Sequence, residues 1–188
     1  MENLSHWRKA VAGALLGLAM LCAAPAQAAD ESLEYPVKAA FLAKFGSFVE
    51  WPAGAFATPT SALQLCVLGD DPFGAVLDRA VSGQQATGRA IEVRRLKAVR
   101  PDTGCHIVYI APSEASRLAQ VAEGLRGGAV LTVSDVKPAG AVGIINFVVK
   151  DERVRFDIDD EAAAQNKLAI SSKLLGVALN VKARKARN

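Results

Sequence analysis

The sequence predicts an α/β fold: a mostly parallel sheet flanked by helices on both faces, with a C-terminal antiparallel hairpin. Three observations predict it. Short runs such as "LQLCVL" and "IVYI" are almost wholly apolar, as strands buried on both faces are. Segments with helical spacing lie between those runs. Near the C-terminus, "IINFVV" and "VRFDI" flank Lys150-Asp151-Glu152-Arg153, the pattern of a β-hairpin.

Each element has its own signal. Over residues 31–49, Val37, Phe41, Phe45 and Phe48 fall on one helical face, read as core, and Pro52 forbids continuation. Leu63–Leu68 is a strand bounded by Gly69. Asp71-Pro72 is a cap and first-turn signature for a helix in which Phe73, Val76, Leu77 and Ala80 form the apolar side before Gly83. Ile91, Val93 and Leu96 mark a second strand, Pro101 to Gly104 a turn, and Ile107 to Ile110 a third strand. Ser113 and Glu114 open a helix that stops at Gly127-Gly128. Ala129 to Val133 is a fourth strand ending at Ser134-Asp135, and Gly140 to Gly143 introduce a change of period. In the hairpin, Val154, Phe156 and Ile158 share one face. Asp159 or Asp160 caps a short helix, "LAIS" is extended, and Ser172 caps a last helix from Lys173 to about Val181.

The chain opens with a secretory signal pattern over residues 1–28. Arg8 and Lys9 precede an apolar run from Ala10 to about Ala24, and Ala26-Gln27-Ala28 forms a small-x-small cleavage site. Cys22 does not fit a lipid-modification site, because bulky Met20 and Leu21 precede it. No later stretch is long and apolar enough to span a bilayer, so no membrane insertion is expected after cleavage. Residues 29–188 then form a single domain with room for one core. Removing Arg8, Lys9 and Glu2 from 22 basic and 19 acidic residues leaves 20 and 18, an ordinary balance. The basic tail Lys182, Arg184, Lys185 and Arg187 lacks interleaved aromatics and reads as a solvated end, not a nucleic-acid grip. Two cysteines remain, Cys66 and Cys105. In an oxidising compartment they suggest one disulfide, two separate buried thiols being the alternative.

Enzyme chemistry finds little support. Ligands of parallel sheets bind at the carboxyl ends of strands, where Asp70-Asp71 and Ser134-Asp135 stand. An acid pair can hold Mg²⁺, but both sites read first as caps or turns. His106, the only histidine after the signal segment, reads as a packed strand residue. A zinc set, a nucleophile elbow and a phosphate loop are all missing from the sequence, so no metal, cofactor or catalytic residue is assigned.

Six segments in order, "EYPVKAAFLAKFGSFVEWP", "LCVLGDDPFG", "GCHIVYIA", "VLTVSD", "GIINFVVKDERVRFDID" and "LAISSKLLGVA", resemble the YfiR family of exported bacterial proteins. The resemblance covers nearly all of residues 29–188. It implies a periplasmic repressor of an inner-membrane diguanylate cyclase, YfiN, released by an outer-membrane lipoprotein, YfiB. Cyclic-di-GMP output and biofilm formation would follow. It also implies a homodimer and a disulfide joining Cys66 to Cys105. Some members carry a second cysteine pair in the late hairpin region, and residues 140–160 here contain none.

Docking residues are expected at two places. Trp51, beside Pro52 and beyond the first helix, is divided between core and interface. The hairpin, taken as a sheet edge, offers unpaired backbone and the outward residues Arg153, Arg155 and Asp157. Phe147 and Phe156 are core by alternation and candidates to line an apolar pocket between the hairpin and the last helix. Two functional classes remain: a protein-binding regulator, and a small-ligand receptor acting on a membrane histidine kinase or other sensor.

Overall fold

A computed structural model describes residues 28–136 and 143–185. The signal segment, apart from Ala28, lies outside the described residues, as do positions 140–142 of the glycine-led change of period and Arg187 of the tail.

Helix α1 spans Ala28–Phe45, followed by a 3-10 turn over Gly46–Phe48 and the short strand β1, Val49–Glu50. It ends before Val49 because the chain must tighten here to meet the sheet. A Cβ on Gly46 would stand 2.7 Å from Leu63 Cδ1 and 3.1 Å from Ala86 Cβ. Strand β2 is Leu63–Leu68. Helix α2 covers only Ala75–Val81, starting after Asp71-Pro72. Gly74 (φ 50°, ψ −136°) breaks the helical backbone, and Asp71 accepts from the Phe73 amide instead of capping a helix. Strands β3, Gln85–Ala86, and β4, Arg89–Leu96, form a tight hairpin. Strand β5 is Ile107–Ile110. A 3-10 turn over Pro112–Arg117 then precedes α3, Leu118–Gly124, in place of one long helix.

Strands β6, Leu131–Ser134, β7, Ile145–Lys150, and β8, Arg153–Asp159, follow. The β7–β8 hairpin turns on Asp151 and Glu152, both at positive φ as a two-residue type I′ loop needs. Asp159 caps α4, Asp160–Gln165, by accepting from the Ala162 amide. Strand β9, Ala169–Ile170, pairs antiparallel with β1. The cap of α5, Ser172–Leu175, is Ser171, and the helix lasts one turn before Gly176. Residues beyond it extend and add β10, Val181–Lys182, parallel to β8.

The main sheet has the order β10-β8-β7-β6-β5-β2-β4-β3. Pairs β4/β2, β2/β5, β5/β6, β6/β7 and β8/β10 are parallel, so the α/β reading holds. Strand β10 covers only the C-terminal end of the hairpin strand β8, at Ile158 and Asp159, and among the described residues no strand pairs with the outer side of Arg153–Arg155. Strand alternation divides the core. Leu63, Leu65, Val67, Ile107 and Tyr109 face a large cluster with α1 and α2, while Cys66, Leu68, Val108 and Ile110 face a smaller one with α3. Helices therefore cover both faces.

The buried side of α1 differs from the expected stripe. Lys38, Ala39, Leu42, Ala43 and Phe45 are buried, Phe41 and Phe48 are half-buried, and Val37 is 41% exposed. The helix is apolar on more than one side, so its row Leu33-Val37-Phe41 is a surface row beside the core row.

Candidate functional site

The carboxyl end of the sheet is closed by internal pairing. At the end of β2, Asp71 accepts from Arg95 Nε at 2.7 Å, and Asp70 pairs with Lys97 with both side chains exposed. Asp71 and Asp78 hold the Arg95 guanidinium well above its ordinary pKa through those hydrogen bonds, Asp78 contributing most. At the end of β6, Asp135 reaches across the fold. Its Oδ2 accepts from Lys38 Nζ at 2.6 Å and from the Tyr109 hydroxyl at 3.1 Å. Lys38, 1% exposed, also pairs with Glu34 and lies 5.0 Å from the centre of the Tyr35 ring. Burial, with Asp135 next in effect, pushes the Tyr109 phenol far above its ordinary range, so it stays a neutral donor. Ser134 donates to Asn146 Oδ1. Among the described residues, no group of three or more His, Cys, Asp or Glu side chains is placed to hold a metal ion.

The amino end carries a second cluster. Cys66 and Cys105 form a disulfide, with Cα atoms 5.9 Å apart, so the two-thiol alternative is set aside. His106 stands beside it, buried. Its Nδ1 accepts from the Gln64 amide at 3.0 Å and its Nε2 lies 3.0 Å from the Ala55 carbonyl. That geometry requires the neutral Nε2–H tautomer. Burial lowers the His106 pKa most, and Arg89 lowers it further, against the opposing Ala55 bond. Phe56 stacks on the imidazole at 4.2 Å, Arg89 lies 3.8 Å over Phe56, and Trp51 meets both rings edge-on. Trp51 is half-buried, and its Nε1 donates to the Gly46 carbonyl at 3.4 Å.

The open apolar surface lies elsewhere. Leu33, Val37 and Phe41 of α1 and Val149 and Val154 of the hairpin line a groove of about 480 Å³, with Glu34, Glu152 and Arg153 also in its lining. Leu33 is 63% and Val149 44% exposed, a fraction that single surface residues reach but that here is continuous along the groove. Beneath it Phe41, Phe45, Phe147 and Phe156 form an aromatic cluster with ring centres 5.3–6.2 Å apart, a firm floor. Phe147 and Phe156 are thus buried under the groove, 3% and 2% exposed, and pack on α1. Arg153 also lines a second depression with Lys150, Asp151, Arg155 and Leu179. Lys150, Arg153 and Arg155 form no ion pair among the described residues. Asp157 accepts from Asn180 Nδ2 at 2.8 Å.

Of the docking candidates, the structure brings Arg153 and Arg155 together, ties Asp157 to the tail, and leaves Trp51 lining separate cavities with Glu50 and Pro52. Leu33, Val37 and Val149 were missed as surface. The signal was there as a second apolar row on α1, four residues apart. The described residues thus combine sheet-end carboxylates paired with internal bases and an apolar groove left open between α1 and the hairpin. Residues 35–179 match the family model described as YfiR/HmsC-like, and the chain belongs to that family. Membership supports a periplasmic regulatory role in cyclic-di-GMP signalling. No helix among the described residues is long and apolar enough to cross a membrane.

Proposed function

We propose that the protein is a non-enzymatic periplasmic regulator that binds and represses the periplasmic domain of a YfiN-like inner-membrane diguanylate cyclase. A YfiB-like outer-membrane lipoprotein relieves that repression. The observation that carries the reading is the groove between α1 and the hairpin: exposed apolar residues on an aromatic floor, with Arg153 and Arg155, which form no ion pair among the described residues, at its side. Apolar anchors beside cations suit a protein partner with an apolar knob and acidic neighbours.

The test is cellular cyclic-di-GMP with the gene deleted and then restored. Deletion is expected to raise it and wild-type protein to lower it again. Folded, exported Val37→Glu and Arg153→Glu/Arg155→Glu proteins are expected to restore less repression. No rise on deletion, with the wild-type protein demonstrably exported, overturns the cyclase reading.

A further inference from the structure

Strand β8 changes sign along its outer edge. At its C-terminal end the edge is acidic and carries the chain's own basic tail. Val181 and Lys182 pair with Ile158 and Asp159, Lys182 reaches Asp159 at 2.9 Å, and Arg184 holds Asp160 through two bonds at 2.7 and 2.9 Å. The tail, expected as a solvated end, is a docked strand. At the other end stand Lys150, Arg153 and Arg155, which form no ion pair among the described residues, and no described strand covers the outer side of β8 there.

The backbone of this end is set for a strand. Where the tail enters the sheet, Leu179 donates its amide to the Phe156 carbonyl at 2.8 Å and Ile158 donates to the Asn180 carbonyl at 2.9 Å. Backbone polar groups alternate from side to side along a strand, so Val154 turns its N–H and carbonyl to the same outer side as Phe156 and Ile158. The two faces beside it differ. Val154 and its cross-strand partner Val149 lie in the apolar groove with Leu33 and Val37. Arg153 and Arg155, one residue to either side, belong to the opposite face, where with Lys150, Asp151 and Leu179 they line a depression of about 480 Å³. A strand laid along Val154 sends alternate side chains into the groove and among these cations.

We propose that the open end of β8 takes an extended segment of another protein in which apolar and acidic residues alternate, added to the sheet edge in line with β10. The inference rests on the groove reading above and names the form of the partner. Cations on a sheet edge repel strands of like charge, so Arg153 and Arg155 turn away this chain's own basic tail and the hairpin of a second copy. An acidic strand supplies the carboxylates they lack, mirroring the fit of Lys182 and Arg184 to Asp159 and Asp160 at the other end.

The test is an amide NMR titration of the exported, isotope-labelled protein with a capped peptide of alternating valine and glutamate. Saturable shifts are expected at Val154 and its neighbours, and Arg153→Glu/Arg155→Glu should weaken binding by about tenfold or more. Two further peptides, N-methylated at every valine or at every glutamate, separate strand pairing from charge alone. In a docked strand one set faces β8 and loses binding on methylation, while the other faces solvent and keeps it. An equal effect of the two methylated sets, a valine-lysine peptide binding as tightly as the valine-glutamate one, or no saturable shift at millimolar peptide with the protein folded, overturns the proposal. The titration involves no cyclase, so its failure leaves the result of the gene deletion untouched, and a deletion without effect leaves the result of the titration untouched.

Discussion

The carboxyl end of the sheet and the α1–hairpin groove divide the molecule's two kinds of surface between them. At the first, where this fold class places ligands, the charges turn inward: Lys38, Asp135, Glu34 and Tyr109 satisfy one another. At the second, apolar side chains stay uncovered above a packed aromatic floor. The difference teaches that the carboxyl end of the sheet is tied up by its own charges, while the apolar surface left open lies at its flank.

The largest effect tests the inward end. Lys38→Met leaves the largely shielded Asp135 with, among the described residues, the Tyr109 hydroxyl as its remaining side-chain partner, and breaking one partner of a buried pair costs about 3–5 kcal/mol. Denaturant unfolding should show that loss. Lys38→Met with Asp135→Asn should recover part of it, because a neutral amide leaves no uncompensated charge. A loss below about 1 kcal/mol for Lys38→Met would mean the network is not the closed unit described.

The disulfide comes next. Closing the loop between Cys66 and Cys105, separated by 39 in sequence, stabilises the domain by about 4 kcal/mol on the chain-entropy model. Cys66→Ser/Cys105→Ser should lower the unfolding midpoint accordingly. The bond joins β2 to the start of β5, away from the groove lining, so the still-folded protein should keep its groove.

These two predictions rest on features of unequal legibility. Ile107–Ile110 and Leu63–Leu68 were plain in sequence because strands buried on both faces are apolar throughout. Strand β4 was seen only in part, since Arg95 stands where the alternation of Ile91 and Val93 calls for an apolar residue and puts Leu96 out of phase. The tail strand β10 is two residues long and gains its partners from β8, more than twenty residues earlier. Helix α1 was clear, but which apolar row faced inward depended on the sheet it met. Lys38 was invisible as a core residue: a lysine reads as solvated until Asp135, 97 positions on, is brought beside it.

A smaller effect comes from the amino end. His106 is held neutral, accepting at Nδ1 and donating at Nε2, with its pKa below the ordinary value chiefly through burial. The unfolded chain therefore binds the proton more readily. Its contribution to stability is full above the unfolded value of about 6.5 and falls as pH drops through and below it. Protonation would also set a donor against the Gln64 amide and a positive charge near Arg89. Unfolding midpoints measured from neutral to acid pH should decline more steeply for wild type than for His106→Gln. Parallel curves would remove His106 from the account.

The smallest expected stability effect bears most directly on the comparison. Val37 is 41% exposed, and Val149 faces it across the groove with 44% exposure. Val37→Glu should shift unfolding free energy by no more than about 0.5 kcal/mol, the usual range for surface positions. The same change places a carboxylate in the groove, near Glu34 and Glu152, and should strip it of apolar binding while leaving the fold intact. A destabilisation of about 2 kcal/mol or more would instead mark Val37 as a core residue. The groove would then be an extension of the aromatic floor, and the distinction between a closed chemical end and an open recognition flank would fail at its second half.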